Sequence, residues 1–259
     1  MSAAENESTT REVNTRFRDL IERVMAGEDL ETARQGTPIV LPKRLRERLG
    51  LKEAVPSTKF DAILFDVGGV MLTNGWDHNE RKAVIDQFSL DLKAFESRHE
   101  KPNDAWERDT ITISEYLKET VFYEPRAFTE ADFLEAMKVV SVPIPATAIP
   151  VVKDLAATGK YLVGTLNNES RYLHEYRMEK YGITPYLNLQ LCSAYVGMRK
   201  PDADIYRRAI DIVGRPAGRI LFIDDRAGNA EAARSAGMVA IQFHDEAQLR
   251  AKLKELEIL

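Results

Sequence analysis

The chain has 259 residues, 44% of them hydrophobic and 30% charged, which is an ordinary composition for a soluble globular protein. Its net charge of −5 argues against general binding to nucleic acid or to anionic membranes. The single cysteine excludes an internal disulfide, and the polar N-terminus and the lack of a run of about 20 apolar residues predict neither a signal peptide nor a membrane span. We therefore expect a cytoplasmic protein.

Residues 1–57 form a predicted N-terminal helical extension that precedes the first strand. Residues 1–10 are small and polar, as in disordered segments, whereas residues 11–26 carry apolar side chains at helical spacing. A short extended piece at 37–40 and a basic helical turn at 42–49 follow. We interpret the extension as an arm that packs on the core or joins two copies into a homodimer; a lid that selects the substrate is the alternative.

A strand is predicted near residues 59–70, and only helices are predicted across residues 75–145. Helix-start signals lie at Asp91, Ser114 and Thr129, where a capping residue precedes an apolar pattern. The predicted helices of this inserted segment cover residues 78–89, 91–99, 103–109, 112–121 and 129–138.

Strands and helices alternate from residue 146 to the end of the chain, which is typical of βαβ units and a parallel sheet. The predicted strands are 160–166, 188–192, 219–224 and 238–242, and the helices between and around them are 149–158, 169–180, 202–213, 228–235 and 245–256. The predicted fold class is thus α/β: a Rossmann-like parallel sheet formed by 58–74 and 146–259, with an inserted helical domain at 75–145.

Four short segments place chemically active residues at strand ends or just before a helix. They read FDAILFDVGGV (60–70), GKYLVGTLNNES (159–170), GMRKP (197–201) and RILFIDDRAGN (219–229). In an open α/β sheet, ligands bind at the carboxyl ends of the strands. Carboxylates, one lysine and several amides at that edge are suited to Mg²⁺ and a phosphate group.

These four segments, in this order, resemble the haloacid dehalogenase (HAD) superfamily of aspartate-nucleophile phosphohydrolases over roughly residues 58–245. The resemblance extends to the helical insertion, which is similar to the helical cap of one large branch. It implies that Asp66 attacks phosphorus and forms an aspartyl-phosphate. It also implies a Mg²⁺ cofactor bound by Asp66, the carbonyl of Gly68, Asp225 and Asp224, with Asp225 favoured over Asp224 as the direct ligand.

Gly68 departs from the commonest pattern of this family, which has a second aspartate two residues after the nucleophile. That acid protonates the leaving group and is typically worth ~10²–10⁴-fold in rate. Asp77, His78 and His99 are the candidates to replace it, and the sequence does not choose among them. The carbonyl of Gly68 keeps its implied contact with the metal, because that contact needs no side chain.

The remaining site residues are assigned by the same resemblance. Lys200 is expected to offset the charge of Asp66 and the phosphate, whereas its neighbour Arg199 is expected to face solvent. Asn167 takes the place of the usual Ser or Thr that contacts the phosphoryl group. His174 is expected to be a satisfied histidine at the surface or at an interface. Further substrate or phosphate contacts are predicted for Asn168, Gly69, Trp76 and Arg81, and support of the acidic loop is predicted for Asn229.

The sequence thus predicts a Mg²⁺-dependent phosphatase of a small phosphorylated metabolite, with a sugar phosphate as one candidate. A catalytically weak or inactive HAD-fold binding protein is the alternative, motivated by Gly68 and Asn167. A second alternative is a metal-free 2-haloacid dehalogenase. The substrate itself is not specified by the sequence, because function resides in the site rather than in the fold.

Overall fold

The computed structural model describes residues 58–259, so the predicted N-terminal arm lies outside the described residues. Five parallel strands form one sheet in the order β3-β2-β1-β4-β5, which confirms the predicted α/β fold class. The strands are β1 (Ala62–Phe65), β2 (Leu162–Asn167), β3 (Leu189–Cys192), β4 (Ile220–Asp224) and β5 (Val239–Gln242).

The central strand β1 is buried on both faces, as expected for a parallel sheet covered by helices. Ile63 and Phe65 pack into one hydrophobic cluster, and Ala62 and Leu64 pack into another on the opposite face. The helices after the insertion are α5 (Ile149–Thr158), α6 (Arg171–Lys180), α7 (Ser193–Val196), α8 (Ala203–Val213), α9 (Ala227–Ser235) and α10 (Glu246–Glu255). Within residues 58–259, no helix is long and apolar enough to cross a membrane.

The first four helices after β1 enclose a separate hydrophobic cluster. They are α1 (His78–Gln87), α2 (Leu92–Glu107), α3 (Ile113–Thr120) and α4 (Glu130–Val139). We call them the helical block. Its cluster is rich in aromatic side chains, among them Trp76, Phe95, Trp106, Tyr116 and Phe133. This cluster is built by residues within the insertion together with Leu173 of α6, so the helical block has a hydrophobic cluster of its own that reaches the sheet domain through Leu173.

Two start signals of the helical block were predicted correctly and one was displaced. Asp91 caps α2 through the backbone N–H of Ala94, and Thr129 forms a capping box with Asp132 at the start of α4. The cap of α3 is Thr112 rather than Ser114, because the Thr112 hydroxyl accepts from the N–H of Glu115. A helix cap thus lies two residues earlier than predicted.

The prediction of two helices at 91–99 and 103–109 is wrong, because α2 runs without interruption from Leu92 to Glu107 and contains Pro102. A proline inside a helix removes one backbone hydrogen bond, which usually ends the helix. Here Phe95, His99, Pro102 and Trp106 form one buried stripe at helical spacing. Burial of that stripe offsets the missing hydrogen bond.

Candidate active site

Three carboxylates meet at the carboxyl end of the sheet. Strands β1 and β4 are neighbours in register, with Phe65 opposite Ile223, so the next residues of each chain segment, Asp66 and Asp224, emerge side by side. One oxygen each from Asp66, Asp224 and Asp225 lies within 4.8 Å of the others. The parallel pairing therefore explains why residues about 160 positions apart form one acidic group.

Lys200 bridges two of these acids from a buried position. Its Nζ lies 3.0 Å from Oδ1 of Asp66 and 2.6 Å from Oδ2 of Asp224. Burial alone would lower the Lys200 pKa, but the two carboxylates outweigh that effect and raise it, so the lysine is held protonated. Burial raises the pKa of Asp66 to about 7, although the ion pair with Lys200 acts in the opposite direction.

The donor set fits a divalent cation. When the three acids are ionised they carry three negative charges against the single positive charge of Lys200, which leaves two to be balanced. Oδ1 of Asp225 is buried and hydrogen-bonds to no partner within residues 58–259. Burial raises the pKa of Asp225, and the charge of Asp224 adds to this. Paired acids without a cation are costly, and Mg²⁺ prefers oxygen ligands.

Asp224 is the more fully engaged of the two adjacent acids. Nδ2 of Asn229 lies 3.0 Å from both of its oxygens, and the backbone N–H of Arg226 donates to Oδ1 at 2.8 Å. Because Lys200 occupies Oδ2 as well, Asp225 has the oxygen that is free for a metal. Gly69 lies against that carboxylate: its φ is +70°, and a Cβ there would collide with Oδ2 of Asp225.

A polar cavity of about 280 Å³ opens beside this acidic group, between the sheet and the helical block. Of the predicted site residues, Asp66, Gly68, Trp76, Arg81, Asn168, Lys200 and Asn229 line it. Asn168 is fixed there by two hydrogen bonds, since its Nδ2 donates to the carbonyl of Lys200 and its Oδ1 accepts from the N–H of Lys200, both at 2.8 Å.

Asn167 does not line the cavity. Its side chain is buried, and Nδ2 lies 3.2 Å from Nδ1 of His174, whose Nε2 lies 2.9 Å from Oε1 of Gln190. The expectation that His174 lies at the surface is wrong: it is 1% exposed, and burial lowers its pKa to about 4. The sequence of α6 is mostly polar, so it gives no indication that this histidine is buried.

The expectation that Arg199 simply faces solvent is the second one to be corrected, because its guanidinium also pairs with two acids. Its Nη1 lies 2.7 Å from Oδ1 of Asp104 and its Nε lies 2.7 Å from Oε2 of Glu107, and its side chain lines the cavity. Both acids come from α2, so the guanidinium joins the segment that carries Lys200 to the helical block. The fold supplied these partners from about 95 residues away.

Arg177 was missed by the sequence reasoning. It is almost fully buried, lines the cavity, pairs with Glu169 and donates to the carbonyl of Thr73. Its helix, α6, has the sequence RYLHEYRMEK, in which an arginine reads as an ordinary exposed residue. A buried arginine could only be found from the three-dimensional contact with the segment after β1.

The three candidates for the missing acid occupy different places. Asp77 caps α1 and lines the cavity, and His78 also lines it while contacting Glu96 at 3.1 Å. His99 lies away from the cavity wall, 2.7 Å from the hydroxyl of Tyr116, and burial lowers its pKa to about 4. A neutral, buried His99 does not supply an acid to this cavity.

Residues 60–237 of the chain match a family model described as a haloacid dehalogenase-like hydrolase. This match covers most of the chain, and the chain therefore belongs to that hydrolase family. The match also spans all four motif segments on which the resemblance rested.

Curated relatives are similar at low identity. The sesquiterpene phosphatase astK of Aspergillus oryzae is 25% identical over 210 residues, which is 77% of this chain and 97% of the relative. The pyrimidine 5′-nucleotidase YjjG of Escherichia coli is 30% identical over 105 residues, or 40% of this chain. The chain spans less than half the length of the first relatives: 45% of YjjG and 12% of the drimenol cyclase drtB of Aspergillus calidoustus.

Solved structures agree in fold. A HAD family enzyme from Bacteroides thetaiotaomicron superposes with a TM-score of 0.64 at 18% identity, covering 74% of this chain and 99% of the other. A structure of the wild-type form of that enzyme is a complex with magnesium and inorganic phosphate, and it superposes with a TM-score of 0.59. At this identity the likeness establishes the fold.

Proposed function

We propose that this protein is a Mg²⁺-dependent phosphatase that hydrolyses a small, polar phosphate monoester. The observation that carries the proposal is the buried Lys200 between Asp66 and Asp224, next to the free carboxylate oxygen of Asp225. Phosphoryl transfer is a reaction in which positioning and charge stabilisation do most of the work. It suits a strand-end aspartate that has an ammonium group beside it and two adjacent acids that can bind a cation.

Each residue then has a defined task. Asp66 attacks the phosphorus atom, the P–O bond to the leaving group breaks, and water later hydrolyses the aspartyl-phosphate. Lys200 reduces the repulsion between Asp66 and the incoming phosphate. Mg²⁺, held by Asp66, Asp225 and the Gly68 carbonyl with Asp224 behind them, would supply additional positive charge for the phosphoryl oxygens.

The cavity favours a polar leaving group. Its volume of about 280 Å³ is at the lower limit of the ~300–1,000 Å³ of typical ligand pockets. Among residues 58–259, Trp76 is the only large apolar side chain that lines it, and its other walls are polar or charged side chains and two glycines. A long apolar chain, such as that of the substrate implied by the name of the relative astK, would leave these groups without partners.

A binding protein without turnover remains the second candidate, because Gly68 provides no acid and Asn167 is bonded to His174 instead of lining the cavity. The retained lysine and acid group weigh against it. Dehalogenation is not favoured, because a reaction at carbon does not need a cation and so makes no use of the adjacent acids Asp224 and Asp225.

Steady-state hydrolysis of p-nitrophenyl phosphate tests the proposal, because this leaving group needs little protonation. We expect turnover with Mg²⁺, its loss with EDTA, and a loss of at least ~10³-fold in Asp66→Asn, which removes the nucleophile. Asp61→Asn, a change of the same type directly before β1, is the matched control for acid removal. Turnover in Asp66→Asn equal to that of the wild type would refute the nucleophile assignment.

A further inference from the structure

The space beside Gly68 is filled by Asn74. A Cβ at Gly68 would lie 3.1 Å from Cα and 3.2 Å from Oδ1 of Asn74, and a Cβ at Gly69 would lie 3.1 Å from the same Oδ1. An acid at position 68 would project into this space. The chain therefore has an amide where an acidic side chain would otherwise lie, directly next to the segment that carries Asp66.

The amide of Asn74 is available to a ligand. It lines the cavity together with Asp66 and Lys200. Within residues 58–259, side-chain hydrogen bonds engage the neighbouring Thr73 and Trp76, but none involves the Asn74 amide. An asparagine has two N–H donors, and because Oδ1 lies on the side of Gly68 and Gly69, these donors are left for the cavity.

The backbone that carries Asn74 has an unusual conformation. Gly75 and Trp76 have φ values of +41° and +55°, a region that a tryptophan rarely adopts. Surrounding contacts must hold it there. We call residues 73–76 the linker, because they join β1 and its turn to the helical block.

Arg177 holds the linker from the side of α6. Its guanidinium donates to the carbonyl of Thr73 and pairs with Glu169, and the side chains of Arg177 and Glu169 are almost fully buried. A Cβ at Gly75 would collide with Nη1 of Arg177 and Oε2 of Glu169, so the linker passes directly over this ion pair. At the other end, the N–H of Trp76 donates to Glu80 at 2.6 Å.

We propose that Asn74, positioned by Arg177 through the linker, donates a hydrogen bond to the ester oxygen of the leaving group. The inference rests on the proposed phosphatase activity. An amide does not transfer a proton, so the leaving oxygen takes its proton from water after the P–O bond breaks. The benefit is greatest for leaving groups that are strong bases, because their oxygen carries the most charge in the transition state.

The dependence of rate on the leaving group tests the role of Asn74. We would measure kcat/KM of the wild type and of Asn74→Ala with p-nitrophenyl phosphate, phenyl phosphate and glycerol 2-phosphate. The loss in Asn74→Ala should be about tenfold for the glycerol ester, as for one hydrogen bond, and clearly smaller for the nitrophenyl ester. Equal losses for all three esters, or no loss, would overturn the proposal.

The role of Arg177 is tested separately. Arg177→Met and Gly75→Ala should each reproduce the selective loss seen in Asn74→Ala, because both displace the linker. Gly159→Ala is the matched control, since Gly159 also has a positive φ of +61° but nothing lies within 4 Å of a Cβ there. If Arg177→Met does not fold, Arg177→Lys keeps the charge beside Glu169 and should give a partial loss. If folded Arg177 variants keep the wild-type dependence of rate on the leaving group, the positioning role of Arg177 is contradicted.

Fluorescence gives a readout that does not need turnover. The chain has two tryptophans, so Trp106→Phe leaves Trp76 in the linker as the reporter. In that background, Arg177→Met and Gly75→Ala should shift the emission of Trp76, and Gly159→Ala should not. Unchanged emission would overturn the positioning role. If the wild-type protein hydrolyses none of the three esters, the phosphatase proposal fails together with the ester contact, while the emission still decides whether Arg177 holds the linker.

Discussion

Gly68 and Asn74 share one small space, which determines what an acid restored at position 68 would achieve. Gly68→Asp alone places a Cβ 3.1 Å from Cα of Asn74, so we expect a loss of ~1–3 kcal/mol in unfolding free energy and little gain in rate. Gly68→Asp with Asn74→Gly removes the amide and lets the backbone move aside. The double variant should hydrolyse glycerol 2-phosphate up to ~10²-fold faster than the wild type.

Urea unfolding and kcat/KM of the two variants, with Asn74→Gly as the control, check this prediction. An equal gain in the single and the double variant would show that Asn74 does not restrict position 68.

The position of a single site residue could be predicted from the sequence where the backbone alone determines that position. Asp224 ends a buried strand and Asp66 and Asp225 directly follow one, and parallel pairing brings strand ends together whatever the side chains do. Arg199 and Arg177 were not predictable, because their partners come from distant segments. The burial of Arg177 depends on a contact with Thr73, which is 104 residues away.

At the scale of elements, Gly164 allows β2 to lie between its neighbours. It pairs with Leu64 of β1 and Leu189 of β3, and a Cβ there would lie 2.7 Å from the carbonyl oxygen of Leu189. Gly164→Ala should therefore lower the unfolding free energy by about 2 kcal/mol, as for overpacking of a core.

Urea denaturation measures this effect, with Gly218→Ala as the matched control. A Cβ at Gly218 has its nearest contact at 4.0 Å, so that variant should change stability by less than ~1 kcal/mol. Similar unfolding midpoints for the two variants would contradict the close approach of β2 and β3.

The alternation of strands and helices after residue 146 could be predicted because it depends on local periodicity and turn residues, and each predicted strand lies within two residues of the observed one at its ends. The continuity of α2 through Pro102 could not. It depends on burial of a stripe from Phe95 to Trp106 against the rest of the helical block, which is a tertiary effect that overrides a local signal.

At the scale of the whole molecule, the buried histidines link stability to pH. His174 and His99 have pKa values of about 4 in the folded protein, below the ordinary value of 6.5, mainly because burial disfavours the charged ring. Between pH 4 and 6.5 the unfolded chain binds more protons at these positions than the folded chain, so the unfolding free energy falls as the pH falls through this window. Burial raises the pKa of Asp66 and so acts in the opposite direction over the same window.

A comparison of variants isolates the contribution of one histidine from these opposing effects. A pKa difference of 2.5 corresponds to about 3 kcal/mol, so the wild type should lose up to that amount from His174 on going from pH 6.5 to pH 4. His174→Gln keeps a polar group between Asn167 and Gln190 but cannot be protonated, so its unfolding free energy should depend less steeply on pH.

Urea unfolding at half-unit pH steps, with exposed His244→Gln as the matched control, measures the two slopes. A slope for His174→Gln as steep as that of the control would mean that the imidazole of His174 takes up a proton in the folded state, and the buried chain from Asn167 to Gln190 would then have to accommodate a charge.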